Sequence, residues 1–248
     1  MTQARTLPTG VALGGAVAVG AMTAIQARIN GVLGVRLDDG VVAGLVSFTV
    51  GTIALAAIVL SLPSGRAGLT RLWSGIRSRH IPPWMLLGGA CGSLTVATQG
   101  LTAGILGVSL FTVGVVAGQT LHGLILDRIG FGPAGVVPVT IGRLLGGVLA
   151  LIAVGISLGG DVLGSVPLWM LVLPFVAGIG IAWQQATNGR LAQRVGSAMT
   201  ATMMSFITGT VVLVLAATVS VLVGGAPDAL PGEPWLYVGG FLGVAYIF

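Results

Sequence analysis

The sequence predicts an all-α membrane protein: a polytopic bundle of about eight spanning helices, built from two repeats of opposite membrane orientation, with the N-terminus in the cytoplasm. Three observations carry this expectation: the scarcity of charge, the spacing of the apolar runs, and a likeness between the two ends of the chain. Charged residues make up 7% of the 248 positions and hydrophobic residues 55%, whereas an ordinary soluble domain is roughly a quarter charged. Eleven cations, all arginine, and six carboxylates cannot cover the surface of a water-soluble fold of this size. At about 20 residues per spanning helix and about 10 per connection, the length corresponds to roughly eight spans.

Apolar runs bounded by proline, glycine and charge place helices over 8–33, 40–62, 83–102, 105–126, 137–158, 168–191, 198–223 and 235–248. Arg5 ahead of an apolar stretch resembles a secretory signal, but that stretch has a counterpart inside the chain and reads as a retained first helix. Arg66, Arg71, Arg77 and Arg79, with His80, share one connecting segment. Such a cluster fits a cytoplasmic loop under the positive-inside rule, with a lipid-headgroup or partner site as the other reading. Placing this loop inside puts Arg128, Arg190 and Arg194 inside as well, and Asp38, Asp39, Asp161, Asp228 and Glu233 outside.

Residues 24–52 and 182–210 align at a constant offset of 158, with Gln26/Gln184, Asn30/Asn188, Gly31/Gly189, Leu33/Leu191, Ser47/Ser205, Phe48/Phe206, Gly51/Gly209 and Thr52/Thr210 identical. A second block, 82–92 against 233–243, repeats at an offset of 151. Five spans separate the two starting points. An odd number reverses the chain, so the second copy is expected to be inverted relative to the first, as in secondary transporters.

The Gln-x-x-x-Asn-Gly-x-Leu ending of the first helix and the Ser-Phe-x-x-Gly-Thr of the second are followed by a stretch around Gly118, Gln119, Leu124, Asp127 and Gly130, then by Arg143-Leu-Leu-Gly. Together they resemble the YdcZ-like inner-membrane proteins of the drug/metabolite transporter superfamily. The resemblance covers nearly the whole sequence. It implies five-helix units, as separate short chains or fused tandem copies, in a bacterial inner membrane and with a transport function of no defined substrate. Phe248 aligns with Ala97 of the first copy, and the helix over 235–248 has 14 residues, about 21 Å against a hydrocarbon core of roughly 30 Å. The expected organisation is a five-helix repeat over 1–160 and an inverted, incomplete three-helix repeat over 161–248.

Polar residues inside hydrocarbon are costly and are functional candidates by default. Gln26 and Asn30 share a face of the first helix, and Gln184 and Asn188 share a face of the sixth. Their amides suit an uncharged or zwitterionic solute, or serve as glue between helices. Near the ends of oppositely oriented helices, the two pairs read as two ends of one path. Trp183 beside the inner pair is a stacking candidate or an interface anchor. Gln119, His122 and Arg143 complete the candidate solute path, with His122 a proton carrier or a plain hydrogen-bonding group. Gly40, Gly44, Ser47 and Gly51, matched by Thr202, Ser205 and Gly209, form small-residue stripes for close helix packing.

No carboxylate falls in the middle of a span, which removes the buried Glu of proton-coupled multidrug exporters as a template. One cysteine and one internal histidine assemble neither a catalytic set nor a metal site, and the chain has no Walker-type loop. Neither cofactor, nor metal, nor nucleic acid is expected; enzyme activity is not expected either. The expected partners are the lipid bilayer, a small-molecule solute, and a second copy or a separate half-transporter chain. The leading function is a secondary transporter or facilitator for a small polar or amphipathic metabolite. The alternative is a non-transporting or partner-dependent membrane subunit.

Overall fold

A computed structural model describes residues 9–157 and 167–245. Arg5, Asp161, the boundary expected at 160/161 and the last three residues of the final span lie outside the described residues. The described residues form helices and turns, with no strand among them. In chain order these are α1 (Thr9–Leu37), α2 (Gly40–Ser61), α3 (Pro63–Arg77) and α4 (Gly88–Thr98). There follow α5 (Val108–Arg128), α6 (Ile141–Ser157), α7 (Leu168–Val195), α8 (Ala198–Gly224) and α9 (Gly239–Ala245). Five stretches are long and apolar enough to cross a bilayer: Leu13–Leu37, Gly40–Ser61, Val108–Arg128, Leu168–Val195 and Ala198–Gly224. Ile141–Ala153 is a shorter apolar helix. After α4 the chain widens into a π turn over Gln99–Ala103 before Gly104–Leu106.

The expected cytoplasmic loop around Arg66 to Arg79 is instead mostly helix. Pro63 at the first position starts α3 with its missing N–H harmless, and Leu62 in extended conformation turns the chain sharply out of α2. Gly65, Gly68 and Leu72 recur at three- and four-residue spacing and are buried. The arginines distracted from this amphipathic pattern.

The repeats build the same local devices twice. Asp39 caps α2 by accepting from the Val41 and Val42 amides, and Ser197, its counterpart at offset 158, caps α8 by accepting from the Thr200 amide. Asp38 (φ 49) and its counterpart Gly196 (φ 66) take the left-handed conformation that ends α1 and α7. Pro83–Leu86 and Pro234–Tyr237 form matching 3-10 turns ahead of α4 and α9.

α2 and α8 lie antiparallel at the centre. At one end the Ser220 hydroxyl donates to Asp39 Oδ2 over 2.7 Å; at the other, Gly68 of α3, just past the end of α2, abuts Ser197 and Thr200 at the start of α8. Between these ends Thr52 and Thr210 share a hydrogen bond of 2.8 Å, and the rings of Phe48 and Phe206 lie 5.2 Å apart. Both pairs join a residue to its own repeat counterpart. The flanking helices exchange partners in the same way: Gly88 faces Asn188 and Ser205, and Gly239 faces Asn30 and Ser47. Gly89 lies against the Ser205 carbonyl and Gly209, and Gly240 against the Ser47 carbonyl and Gly51. The small-residue stripe of α2 works by the same close approach, with Gly40 on the backbone of Gly100 and Leu101 and Gly44 on that of Ala97.

With the exception of Arg28, exposed part-way along α1, charge among the described residues separates between the two ends of the bundle. The end carrying α3 gathers Arg66, Arg71, Arg77, Arg79, Arg128, Arg190 and Arg194, tied together through Arg71 to the Val195 carbonyl, Arg190 to the Gly130 carbonyl and Arg194 to the His80 carbonyl. The opposite end holds Asp38, Asp39 and the Arg36–Glu233 ion pair at 3.1 Å.

A methyl on Gly89 would land on the Ser205 carbonyl oxygen, whereas one on Gly142 meets nothing within 4 Å. Gly89→Ala is therefore expected to destabilise the protein by about 2 kcal/mol, in the range of overpacking, and Gly142→Ala by less than about 0.5. Thermal unfolding in detergent checks both.

Candidate functional site

A cavity of about 510 Å³ opens between α1, α4, α5, α7 and the central α2–α8 pair. Five glutamines reach its wall, Gln26, Gln99, Gln119, Gln184 and Gln185, together with Asn188. Phe48, Phe111 and Phe206 supply the apolar part. Among the described residues, none that lines the cavity carries an ionisable side chain.

α1 and α7 run on to Leu37 and Val195, four residues beyond the ends expected at 33 and 191. Gln26 and Gln184 therefore sit well inside helices of 29 and 28 residues, each about 40 Å long. The two glutamines face one shared cavity instead of two separate mouths. Gln26, 4% exposed, donates to the Gly239 carbonyl of α9 over 3.0 Å. Gln184 lies against Gly92 of α4, where a Cβ would come within 2.6 Å of its amide nitrogen. Each glutamine is thus seated on a glycine-rich helix of the other half of the chain.

The asparagines divide. Asn188 lines the cavity, and its Oδ1 accepts from the Ser205 hydroxyl over 2.6 Å. Asn30 is fully buried behind the wall and donates to Gln99 Oε1 over 2.6 Å. Among the described residues, Asn30 Oδ1 and Ser47 Oγ have no hydrogen-bond partner, although their counterparts bond to each other. Gln99 belongs to the π turn, a wider coil that turns this amide toward the bundle interior. Sequence reasoning missed Gln99 and Gln185, although polar neighbours three or four positions away on the same face, Thr95 and Thr102 for Gln99 and Asn188 for Gln185, were the available signal.

Gln119 and Gln185 are bonded to each other over 3.1 Å, from Nε2 to Oε1. Both also line a second cavity of about 660 Å³, so this amide pair is the wall the two spaces share. Arg143, in an ion pair with Asp127, lies in the second space. Trp183 lines neither cavity: it stacks on Phe131, ring centroids 6.5 Å apart, in a cluster with Trp84 and Arg190. His122 is half-buried on α5 and also lines neither. Among the described residues no group of three or more His, Cys, Asp or Glu could hold a metal ion.

Several long apolar helices around an amide-lined cavity define a multi-pass membrane protein with room for a small molecule. A family model described as "Putative inner membrane exporter, YdcZ" matches residues 11–156 and 169–248. The chain belongs to this inner-membrane exporter family, which is a transport family and not an enzyme family. Searches of curated proteins and of solved structures found no match.

The Asp127–Arg143 pair is partly exposed, with side chains 26% and 39% accessible. Asp127→Asn and Arg143→Gln are each expected to lower stability by about 1 kcal/mol, and the double substitution Asp127→Asn/Arg143→Gln to cost no more than either one alone. Thermal unfolding of the four proteins closes the double-mutant cycle.

Proposed function

We propose that the protein exports a small uncharged or zwitterionic, polar to amphipathic metabolite by alternating access between two inverted repeats. The cavity carries this reading. Six amides can satisfy hydrogen-bonding groups of a solute in either sense, while three phenylalanines receive its apolar part. A lone ion brought into this space would meet no opposite charge and would lose its hydration. This lining favours a solute that is uncharged or neutralises itself internally.

The reading takes 1–160 as the first repeat, with five spans, and 161–248 as the second, with three, for about eight spans in all. The antiparallel α2 and α8, the matched caps and the gap between the two matched family segments support it. The arginine-rich end supports a cytoplasmic N-terminus, since α1 begins at that end. In the rocking motion, the Gln119–Gln185 bond is the side-chain contact between the solute cavity and the charged space beside it. Breaking one neutral hydrogen bond costs about 1 kcal/mol, a small barrier for a gate. Neither ATP nor a buried carboxylate has a role in this scheme.

One observation favours a second reading, a subunit that needs a partner helix. Gly178 of α7 is covered by the Val115 carbonyl of α5, but its counterpart Gly20 of α1 meets nothing within 4 Å. Val17 beside it is 74% exposed, and the cavity reaches this open flank through Ala16 and Gly20.

Proteoliposomes loaded with a mixture of neutral, zwitterionic and charged metabolites, analysed by mass spectrometry, test the proposal. The protein is expected to deplete members of the uncharged or zwitterionic set. Gln26→Ala and Gln184→Ala should each slow this about tenfold, the equivalent of one well-made hydrogen bond to the solute. Flux indifferent to both substitutions contradicts the site. Absence of flux from a folded chain favours the partner-dependent reading.

A further inference from the structure

We propose that α3 is an in-plane binding site for anionic phospholipid headgroups, held by Arg66, Trp73 and Arg77 on one face of the helix and by Arg79 just past its end. The argument starts from the spacing. Residues 66, 70, 73 and 77 follow one another at four, three and four positions, so they form one stripe along the helix, and all four are exposed. Trp73 in the middle is 69% exposed. An arginine near each end and a tryptophan between them is the composition of a helix lying in the headgroup layer.

The opposite face fixes the helix in that position. Gly65 lies against the Val59 carbonyl of α2, and Gly68 against Thr200 and Ser197 at the start of α8. Arg71, on the flank, donates to the Val195 and Gly196 carbonyls at the end of α7. α3 therefore crosses the ends of three spanning helices, one residue after α2 finishes. At that depth a bilayer presents its headgroups.

The charges on the exposed stripe are not answered by the protein. Arg71, Arg190 and Arg194 turn their guanidiniums to backbone carbonyls within the fold. Arg66 gives one N–H to the Leu60 carbonyl and keeps the rest of its planar fork. Arg77 and Arg79, by contrast, make no side-chain hydrogen bond or ion pair among the described residues. Among the described residues Asp127 is the one carboxylate at this end, and it is paired with Arg143. A phosphate of a lipid headgroup complements this surface, and guanidinium binds phosphate through two parallel hydrogen bonds. An additional anionic headgroup charge strengthens the attraction, so phosphatidylglycerol is favoured over phosphatidylcholine.

The test uses the full-length protein in phosphatidylcholine vesicles containing an equal mole fraction of either acyl-brominated phosphatidylglycerol or acyl-brominated phosphatidylcholine. Bromine quenches tryptophan at short range, and subtraction of the Trp73→Phe protein isolates Trp73 from the other four tryptophans. Trp73 should be quenched more strongly by the anionic lipid. In Arg77→Gln/Arg79→Gln the preference should fall roughly 10- to 30-fold in apparent affinity, and adding Arg66→Gln should abolish it. The Arg77/Arg79 variant breaks no bond within the fold, and an unchanged melting temperature confirms that its structure is intact. Equal quenching by the two lipids, as expected for a plain interface anchor or a face covered by an acidic protein, overturns the proposal. A preference that survives all three substitutions overturns it too.

Discussion

The structure depends on the close approach of glycine-bearing helices around the antiparallel α2–α8 pair. Lipid offers no hydrophobic drive for helices to associate, so they must gain by packing and by hydrogen bonds made where water is absent. Here the gain comes from contacts no side chain larger than hydrogen permits. Gly51 and Gly209 receive the rings of Phe206 and Phe48, while Gly89 and Gly240 bring α4 and α9 onto the backbones of α8 and α2. The Thr52–Thr210 bond lies between these contacts and joins equivalent residues. The Phe48–Phe206 contact likewise joins a residue to its own repeat counterpart.

The same constraint makes the cavity. With α4 held to α8 and α9 held to α2, α1, α5 and α7 border a space beside the Phe48–Phe206 contact. Amides fill the rim of that space. Gln26 is anchored to the Gly239 carbonyl and Gln99 to Asn30, so the wall is held in place without charge. Apart from Arg28 on the exposed side of α1, the charged side chains among the described residues lie toward the two ends of the bundle, where water and headgroups solvate them. Asn30 Oδ1 and Ser47 Oγ, both without a partner among the described residues, mark a difference between the two halves, since Asn188 and Ser205 make the bond that these residues do not.

Much of this was legible in the residues. Composition defined the membrane class, and the offset of 158 picked out Gln26, Gln184, Phe48, Phe206, Thr52 and Thr210 before any coordinates. The internal repeat carried distance information that helix periodicity lacks, because residues near a two-fold axis meet their own counterparts. Other features were hidden. The arginines of α3 resemble a charged loop, and the buried Gly65, Gly68 and Leu72 that make it a packed helix carry little apolar signal. The single cavity was read as two ends of a path because α1 and α7 were drawn four residues short. Trp183 was placed on the path by its neighbours in sequence, yet a helix turns about 100° per residue, and it points instead to Phe131. Gln99 depends on a π turn, which no hydrophobic pattern announces.

The central claim is that matched residues of the two repeats lie at opposite faces of the membrane. Arg36 and Arg194 stand at the same place in the repeat, 158 positions apart. Cys91 is the one native cysteine, so a Cys91→Ala background accepts a single reporter thiol. The most direct measurement is labelling of Arg36→Cys and Arg194→Cys by a membrane-impermeant maleimide in spheroplasts, before and after permeabilisation. The account predicts that the Arg36→Cys thiol reacts in intact spheroplasts and that the Arg194→Cys thiol reacts only once the membrane is opened. Reaction of both from the same side would contradict it.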